Sequence, residues 1–149
     1  MASIQHLLDA KGHTIHYVHP DDTVLDALKM MRDKDIGAVL VKGDDSLVGI
    51  FTERHYARRV FLEGKSSPKT HIREVMEENV VCVEPDLTVE TCIAIMTEKH
   101  IRHLPVLRDG HLVGIISIGD LLKSIIADQE FTIEQLERFI QRRGPSQRF

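Results

Sequence analysis

The chain has 149 residues, 42% of them hydrophobic and 28% charged, with a formal net charge of −4. That length supports a proper core without staples. The net negative charge and scattered basic residues argue against a dedicated nucleic-acid surface, and no run approaches the ~20 apolar residues of a membrane span. The N-terminus lacks the basic start and long apolar stretch of a secretory signal, so a cytoplasmic location is expected, and two cysteines, Cys82 and Cys92, suggest small apolar fillers rather than a disulfide framework.

In chain order, "SIQHLLDA" is amphipathic, with Ile4, Leu7 and Leu8 on one side. The extended piece "TIHYV" ends at Pro20-Asp21, after which Thr23 is a natural N-cap. Val24, Ala27, Leu28 and Met31 then recur at helical spacing. A helix ending near Lys34 and Asp35 favours a glycine just beyond it, which is one reading of Gly37. "GAVLV" and "LVGIF" flank the turn "KGDD" and predict a hairpin, whose second strand feeds a helix over 53–62. The polar stretch "EGKSSPKT" reads as a linker to "HIREVM", a short helix that Thr70 caps.

From there the pattern repeats at a constant offset of 65 residues, Pro20 to Pro85 and Gly49 to Gly114, with no gap and about a third of the paired positions identical. "VVCV" is extended and Thr88 caps a helix carrying Val89, Cys92, Ile93 and Met96. "HLPVL" and "LVGII" surround the turn "RDGH" and lead to a helix over 118–127. The C-terminal "TIEQLERFIQRR" is again amphipathic, and the tail after Gly144 is expected to fray. The order β-α-β-β-α, twice, implies an α/β (α+β) fold in which two pseudo-symmetric repeats each build a small sheet with helices packed on it. The expected parts are an N-terminal helix (1–10), a first repeat (11–62), a linker with a short helix (63–76), a second repeat (77–127) and a C-terminal helix and tail (128–149).

Nine histidines raise the question of a metal. His13, His16 and His19 lie three apart in a stretch that reads as extended, where alternate residues share a side, so His13 and His16 point oppositely. No CxxC or HExxH accompanies them, and no metal site is expected. The chain lacks a G-x-S-x-G elbow, a P-loop and a paired-acid motif, and "GIISIGD" is not G-x-G-x-x-G, so no catalytic residue is assigned. The remaining chemistry lies where the last strand of each repeat becomes a helix. In "GIISIGDLL", Ser117 and Asp120 are three apart. Either they form a capping box, or they address a sugar phosphate at a helix N-terminus, which attracts anions. The residues alone leave both readings open.

The doubled motifs "PDDTVLDALKMM", "IGAVLV", "LVGIFTERHYAR", "PDLTVE", "KHIRHLPV" and "LVGIISIGDLL" resemble a tandem pair of cystathionine-beta-synthase-type (CBS) domains, a Bateman module, over residues from about 11 to 127. The resemblance implies two sheets packed pseudo-symmetrically, two clefts between the halves, and a non-catalytic regulatory module that binds adenosyl ligands (AMP, ADP, ATP, NAD or S-adenosylmethionine). It also implies a homodimer, which would cover the amphipathic ends, and an unknown protein partner. In the family pattern the hydroxyl meets phosphate and the acid accepts from both ribose hydroxyls. A carboxylate suits that task because it is acceptor-only and takes two donors at once.

Carried over by motif, a first cleft (A) comprises Lys11, Thr14 and His16 beside the base, Gly37 and Ala38 making room on its other face, Arg102 and His103 toward the phosphates, and Ser117 and Asp120. A weaker cleft (B) comprises Thr52, Arg54, His55, Arg58, Arg59, Asn79 and Val81. There His55 replaces the acid, and an imidazole offers at most one acceptor. The other reading is a dimeric scaffold without a physiological nucleotide, in which Arg54, Arg58 and Arg59 form an exposed face and Arg102 and His103 are solvated strand-start residues.

Overall fold

A computed structural model describes residues 3–128 of the chain. Its elements are α1 (Ile4–Lys11), β1 (Tyr17–Val18), α2 (Val24–Lys34), β2 (Ala38–Gly43), β3 (Ser46–Thr52), α3 (Glu53–Tyr56), α4 (Ile72–Val75), α5 (Val89–Lys99), β4 (His103–Arg108), β5 (His111–Ser117) and α6 (Ile118–Asp128). The C-terminal amphipathic segment "TIEQLERFIQRR" lies outside the described residues.

Each repeat contributes an antiparallel hairpin, β2–β3 or β4–β5. The turns are the tight two-residue kind with both central residues left-handed: Asp44 and Asp45 (φ 48° and 65°) in one, Asp109 and Gly110 (φ 51° and 79°) in the other. Both hairpins shift register at the same place, between Val41 and Lys42 and between Val106 and Leu107. The extended piece before Pro20 joins β2 in parallel through Tyr17 and Val18 only. Its counterpart, "VVCV", touches β4 through the single bridge Val83–Val106.

Thr23 and Thr88 cap their helices, accepting from the Asp26 and Thr91 N–H groups at 3.1 and 3.2 Å. Thr23 completes a full capping box with Asp26, whereas Thr88 has Thr91 where the acid would stand. The left-handed residue ending α2 is Asp35 (φ 53°), matched by His100 (φ 55°) after α5. Gly37 is therefore not the helix stop, and another constraint fixes it. The helix after β3 stays α-helical only to Tyr56 and continues as a π-helical turn, Ala57–Phe61. Thr70 does not cap α4: it is buried and its carbonyl accepts the Val24 N–H at 2.9 Å. His71 takes the N-cap position, its N–H donating to the Glu74 carboxylate at 2.7 Å.

Alternation along the strands divides the core. Val39, Val41 and Phe51 face the helices of the first repeat, while Ala38, Leu40 and Ile50 face the other sheet. There they meet Val80, Leu112 and Ile115 of the second repeat, so the sheets pack face to face.

The short helices are exchanged. Helix α4 immediately precedes the second repeat yet buries Ile72 and Val75 in the first repeat's core. Helix α1 precedes the first repeat yet buries Ile4, Leu7 and Leu8 among Cys92, Leu104 and Leu121 of the second. Equivalent hydrogen bonds hold both: Ile72 N–H to Asp22 O at 2.8 Å, and Ile4 N–H to Leu87 O at 2.9 Å. A methyl group on Gly114 would stand 2.6 Å from Leu8 Cδ2, and one on Gly49 would stand 2.7 Å from Met76 Sδ, so bare backbone is what lets these segments dock. The apolar stripe of the N-terminal helix is thus covered within the chain, contrary to the expectation that a second subunit covers it.

Candidate functional site: two clefts between the repeats

Two clefts open on the seam between the sheets, and the repeat sets their composition. One, of about 390 Å³, joins Lys11, Thr14 and His16 of the leading segment to Gly37, Ala38 and His103 and to the Ser117–Asp120 junction. The other, of about 470 Å³, joins Asn79 and Val81 to Arg102 and His103 and to the Thr52–His55 junction.

At the Ser117 junction the strand-to-helix turn is closed twice. Ser117 Oγ accepts the Asp120 N–H at 3.2 Å, and Asp120 Oδ2 accepts the Ser117 N–H at 2.8 Å. The capping box therefore exists. The same Oδ2 also takes the ammonium of Lys11, the last residue of the docked α1, at 2.6 Å, and Lys11 Nζ donates as well to the Ile115 carbonyl at 2.7 Å. Among the described residues Oδ1 accepts no bond, and Asp120 keeps 20% of its side chain exposed on the cleft. Burial works to raise the Asp120 carboxyl, but Lys11 and the Ser117 donors outweigh it and hold it below the usual carboxylate range. Capping and an open acceptor thus coexist, one oxygen serving each.

The Thr52 junction reproduces this geometry with a ring. Thr52 Oγ1 accepts the His55 N–H at 3.2 Å, and His55 Nδ1 accepts the Thr52 N–H at 3.1 Å. A ring nitrogen that accepts carries no proton, so the neutral His55 bears its hydrogen on Nε2 and is a donor there. Burial, and then the Arg59 guanidinium, push its pKa down to about 4. Arg54 reaches across this cleft, its Nη1 donating to the His100 carbonyl at 3.1 Å.

Of the residues assigned to cleft A, all but Arg102 lie on it, and Arg102 belongs to the other cleft. The reason is the duplication. Arg102 is the counterpart of Gly37, so Ile101–Arg102–His103 stands over the first-repeat junction as Ile36–Gly37–Ala38 stands over the second. The 65-residue offset carried that signal. Equivalent anchors within each repeat mark the two residues as counterparts: Glu53 N–H donates to Gly37 O at 3.0 Å and Ile118 N–H to Arg102 O at 2.9 Å. His103 lines both clefts because Leu104 and Val106 take the helix side of β4, leaving it on the seam. Burial, then Lys11, hold its imidazole below the ordinary range.

In cleft B, Thr52, Arg54, His55, Asn79 and Val81 lie where assigned, but Arg58 and Arg59 do not line it. The π-helical turn carries them away. Arg59 donates to the Val75 and Met76 carbonyls at 3.2 and 3.1 Å and to Glu77 at 2.9 Å, tying the segment after α4 to the first repeat. Sequence reasoning missed Glu53, Glu77, Lys99 and His100 on this cleft. The size of Gly37 also has its explanation here: a methyl group there would stand 2.8 Å from Glu53 Oε1 and 3.7 Å from the His103 ring. Among the described residues no group of histidine, cysteine and acidic side chains is placed to hold a metal. Burial raises both thiols, Cys92 to about 11, so neither is an activated nucleophile.

Comparison with known proteins agrees with the duplication. The family model described as "CBS domain" matches twice, over residues 12–61 and 72–127. A structure of a protein with CBS domains from Burkholderia ambifaria is 50% identical, with a TM-score of 0.85 over 89% of this chain and 99% of its own. A CBS-domain-containing protein from Agrobacterium tumefaciens is 37% identical, with a TM-score of 0.81 over 84% of this chain and all of its own. An Arabidopsis thaliana protein named as a mitochondrial CBS domain-containing protein is 37% identical over 81% of this chain, which spans 61% of that relative's length. No helix among the described residues is long and apolar enough to cross a membrane.

Proposed function

The chain belongs to the CBS domain family, and from that premise we propose that it is a non-catalytic, cytoplasmic regulatory module that binds an adenine nucleotide in the cleft beneath Ser117 and Asp120. The observation that carries this reading is Oδ1 of Asp120, which accepts no bond among the described residues and lies on a cleft of about 390 Å³ that spans both repeats. Two vicinal hydroxyls are the donors such an acceptor-only group suits. The small Gly37 and Ala38 leave space for a flat base, and Lys11 and Ser117 stand beside Asp120 to meet phosphate.

The same geometry supplies an output. Lys11 ends α1 and ties it to Asp120 at the start of α6. A ligand phosphate that draws the Lys11 ammonium to itself competes with that tie, so the ligand favours arrangements in which α1 and the α6 junction are less tightly joined. Only such a difference in affinity can shift a population.

Thermal melting with AMP, ATP, NAD and S-adenosylmethionine tests the reading. At 100 times its dissociation constant a ligand adds roughly 2.7 kcal/mol, or roughly 5–10 °C for a chain this size. Asp120→Ala should remove the shift. If none of the four raises the melting temperature, the proposal fails.

A specific observation also favours a scaffold that self-associates: Phe61 at the end of the π-helical turn and Leu62 just after it are 69% and 74% exposed, and Leu122 is 49% exposed on α6. A homodimer would cover them. Sedimentation of wild type and Phe61→Ser/Leu62→Ser separates that role from ligand binding.

A further inference from the structure

The two clefts are built to one plan but differ at the place where a ribose edge would be read. In cleft A the junction presents Gly119 and Asp120, opposed by Gly37. In cleft B the same three places hold Arg54, His55 and Arg102. An acid becomes a neutral N–H donor, and two glycines become guanidinium groups. The charged residues on the cleft walls follow suit. Cleft A has Lys11 against Asp35 and Asp120, whereas cleft B has Arg54, Lys99 and Arg102 against Glu53 and Glu77. Glu77 is already engaged, accepting from Arg59 at 2.9 Å and from the Asn79 N–H at 3.2 Å. That leaves the cationic side of cleft B in excess.

Arg54 spends one N–H on the His100 carbonyl, and a guanidinium has five. Beneath this rim lies an apolar floor of Ile50, Val80, Val81 and Pro105, suited to a flat base.

Replacing an acid that accepts from a free diol by arginine and other donors is how a nucleotide site changes from a ribose hydroxyl to a ribose phosphate. We propose that cleft B takes a nucleotide phosphorylated on the 2′ or 3′ hydroxyl of its ribose, read by Arg54, His55 and Arg102, while cleft A takes the unmodified diol. The inference rests on reading the clefts as nucleotide sites, and it assigns them different ligands rather than one ligand at two strengths. Arginine forks suit a phosphomonoester bidentately, and the His55 ring supplies a donor at the position where a carboxylate would repel the phosphate.

Calorimetry with adenosine 2′-, 3′- and 5′-monophosphates on the full chain tests it. Cleft B is isolated with Asp120→Ala. In that protein the 2′ or the 3′ isomer should bind at least about tenfold more tightly than the 5′ isomer, the worth of one charge-assisted hydrogen bond. Adding His55→Asp, which installs the side chain the second repeat uses for the same cap, should abolish or reverse the preference. Arg54→Ala, at an exposed position, should weaken the preferred isomer more than it weakens the 5′ isomer and so shrink the preference. Equal affinities, tighter binding of the 5′ isomer, or a preference indifferent to both substitutions would overturn the proposal. Binding of the 5′ isomer to the wild-type protein and its loss in Asp120→Ala report on cleft A alone, so the two readings fail separately.

Discussion

Acidification from pH 7 to 4.5 should unfold the protein partly through His55. In the folded chain its Nδ1 accepts the Thr52 N–H, and protonation of that nitrogen would break the cap and place a charge beside Arg59 and Arg54. The ring therefore titrates at about 4 when folded and at the ordinary 6.5 when unfolded. Between those values the unfolded chain binds the extra proton, so stability rises with pH across the window and is flat above it. The full difference corresponds to about 3 kcal/mol, of which about 2–3 kcal/mol is lost by pH 4.5. The comparison protein is His55→Asn, whose amide oxygen can accept the same N–H but does not titrate. Urea denaturation at both pH values gives the test as a difference of differences, in which His103 and the carboxylates cancel. The wild-type protein should lose about 2–3 kcal/mol more than His55→Asn. Equal losses, or a proton NMR titration of His55 near 6.5, would refute the assignment of Nδ1 as acceptor.

Lys11→Met should move the Asp120 titration, followed by carbon NMR, up toward the ordinary carboxylate range, because the first partner lowering it is that ammonium. Stability from the depressed Asp120 carboxyl is present above its unfolded value and lost as pH falls through the folded one, so this variant should also be less sensitive to acid below pH 4. Thr23→Ala removes the side-chain acceptor of a complete capping box and should cost about 1 kcal/mol by urea denaturation. Leu8→Ala should cost about 2–5 kcal/mol, because this helix residue is fully buried in the second repeat's core. Normal stability of Leu8→Ala would argue against the exchanged docking of α1.

The duplicated fold was largely legible because hydrophobic spacing and turn chemistry are local. Thr23, Thr88 and the Asp44-Asp45 and Asp109-Gly110 turns follow from side-chain and backbone preferences that need no distant partner. What was not legible depends on tertiary contact. The exchange of α1 and α4 is invisible in an amphipathic stripe, which records that a face is buried and not what buries it. Its trace was the glycine pair Gly49 and Gly114, each facing a docked side chain. Arg59 read as a phosphate contact because charge is visible in sequence while direction is not, and the π-helical turn alters the direction. Arg102 lines cleft B and not cleft A, because a motif shows which side chain is present and not which way it projects. Ser117 and Asp120 posed a choice between cap and ligand contact that sequence could not decide, and the two oxygens of one carboxylate make the choice unnecessary.

The most direct measurement is a crystal structure of the protein grown with AMP. The account predicts the ribose hydroxyls on the Asp120 carboxylate, the base against Gly37 and Ala38, and the Lys11 ammonium drawn off Asp120 toward the phosphate. A nucleotide bound elsewhere, or a cleft that stays empty with the Lys11–Asp120 pair intact at saturating AMP, would contradict it.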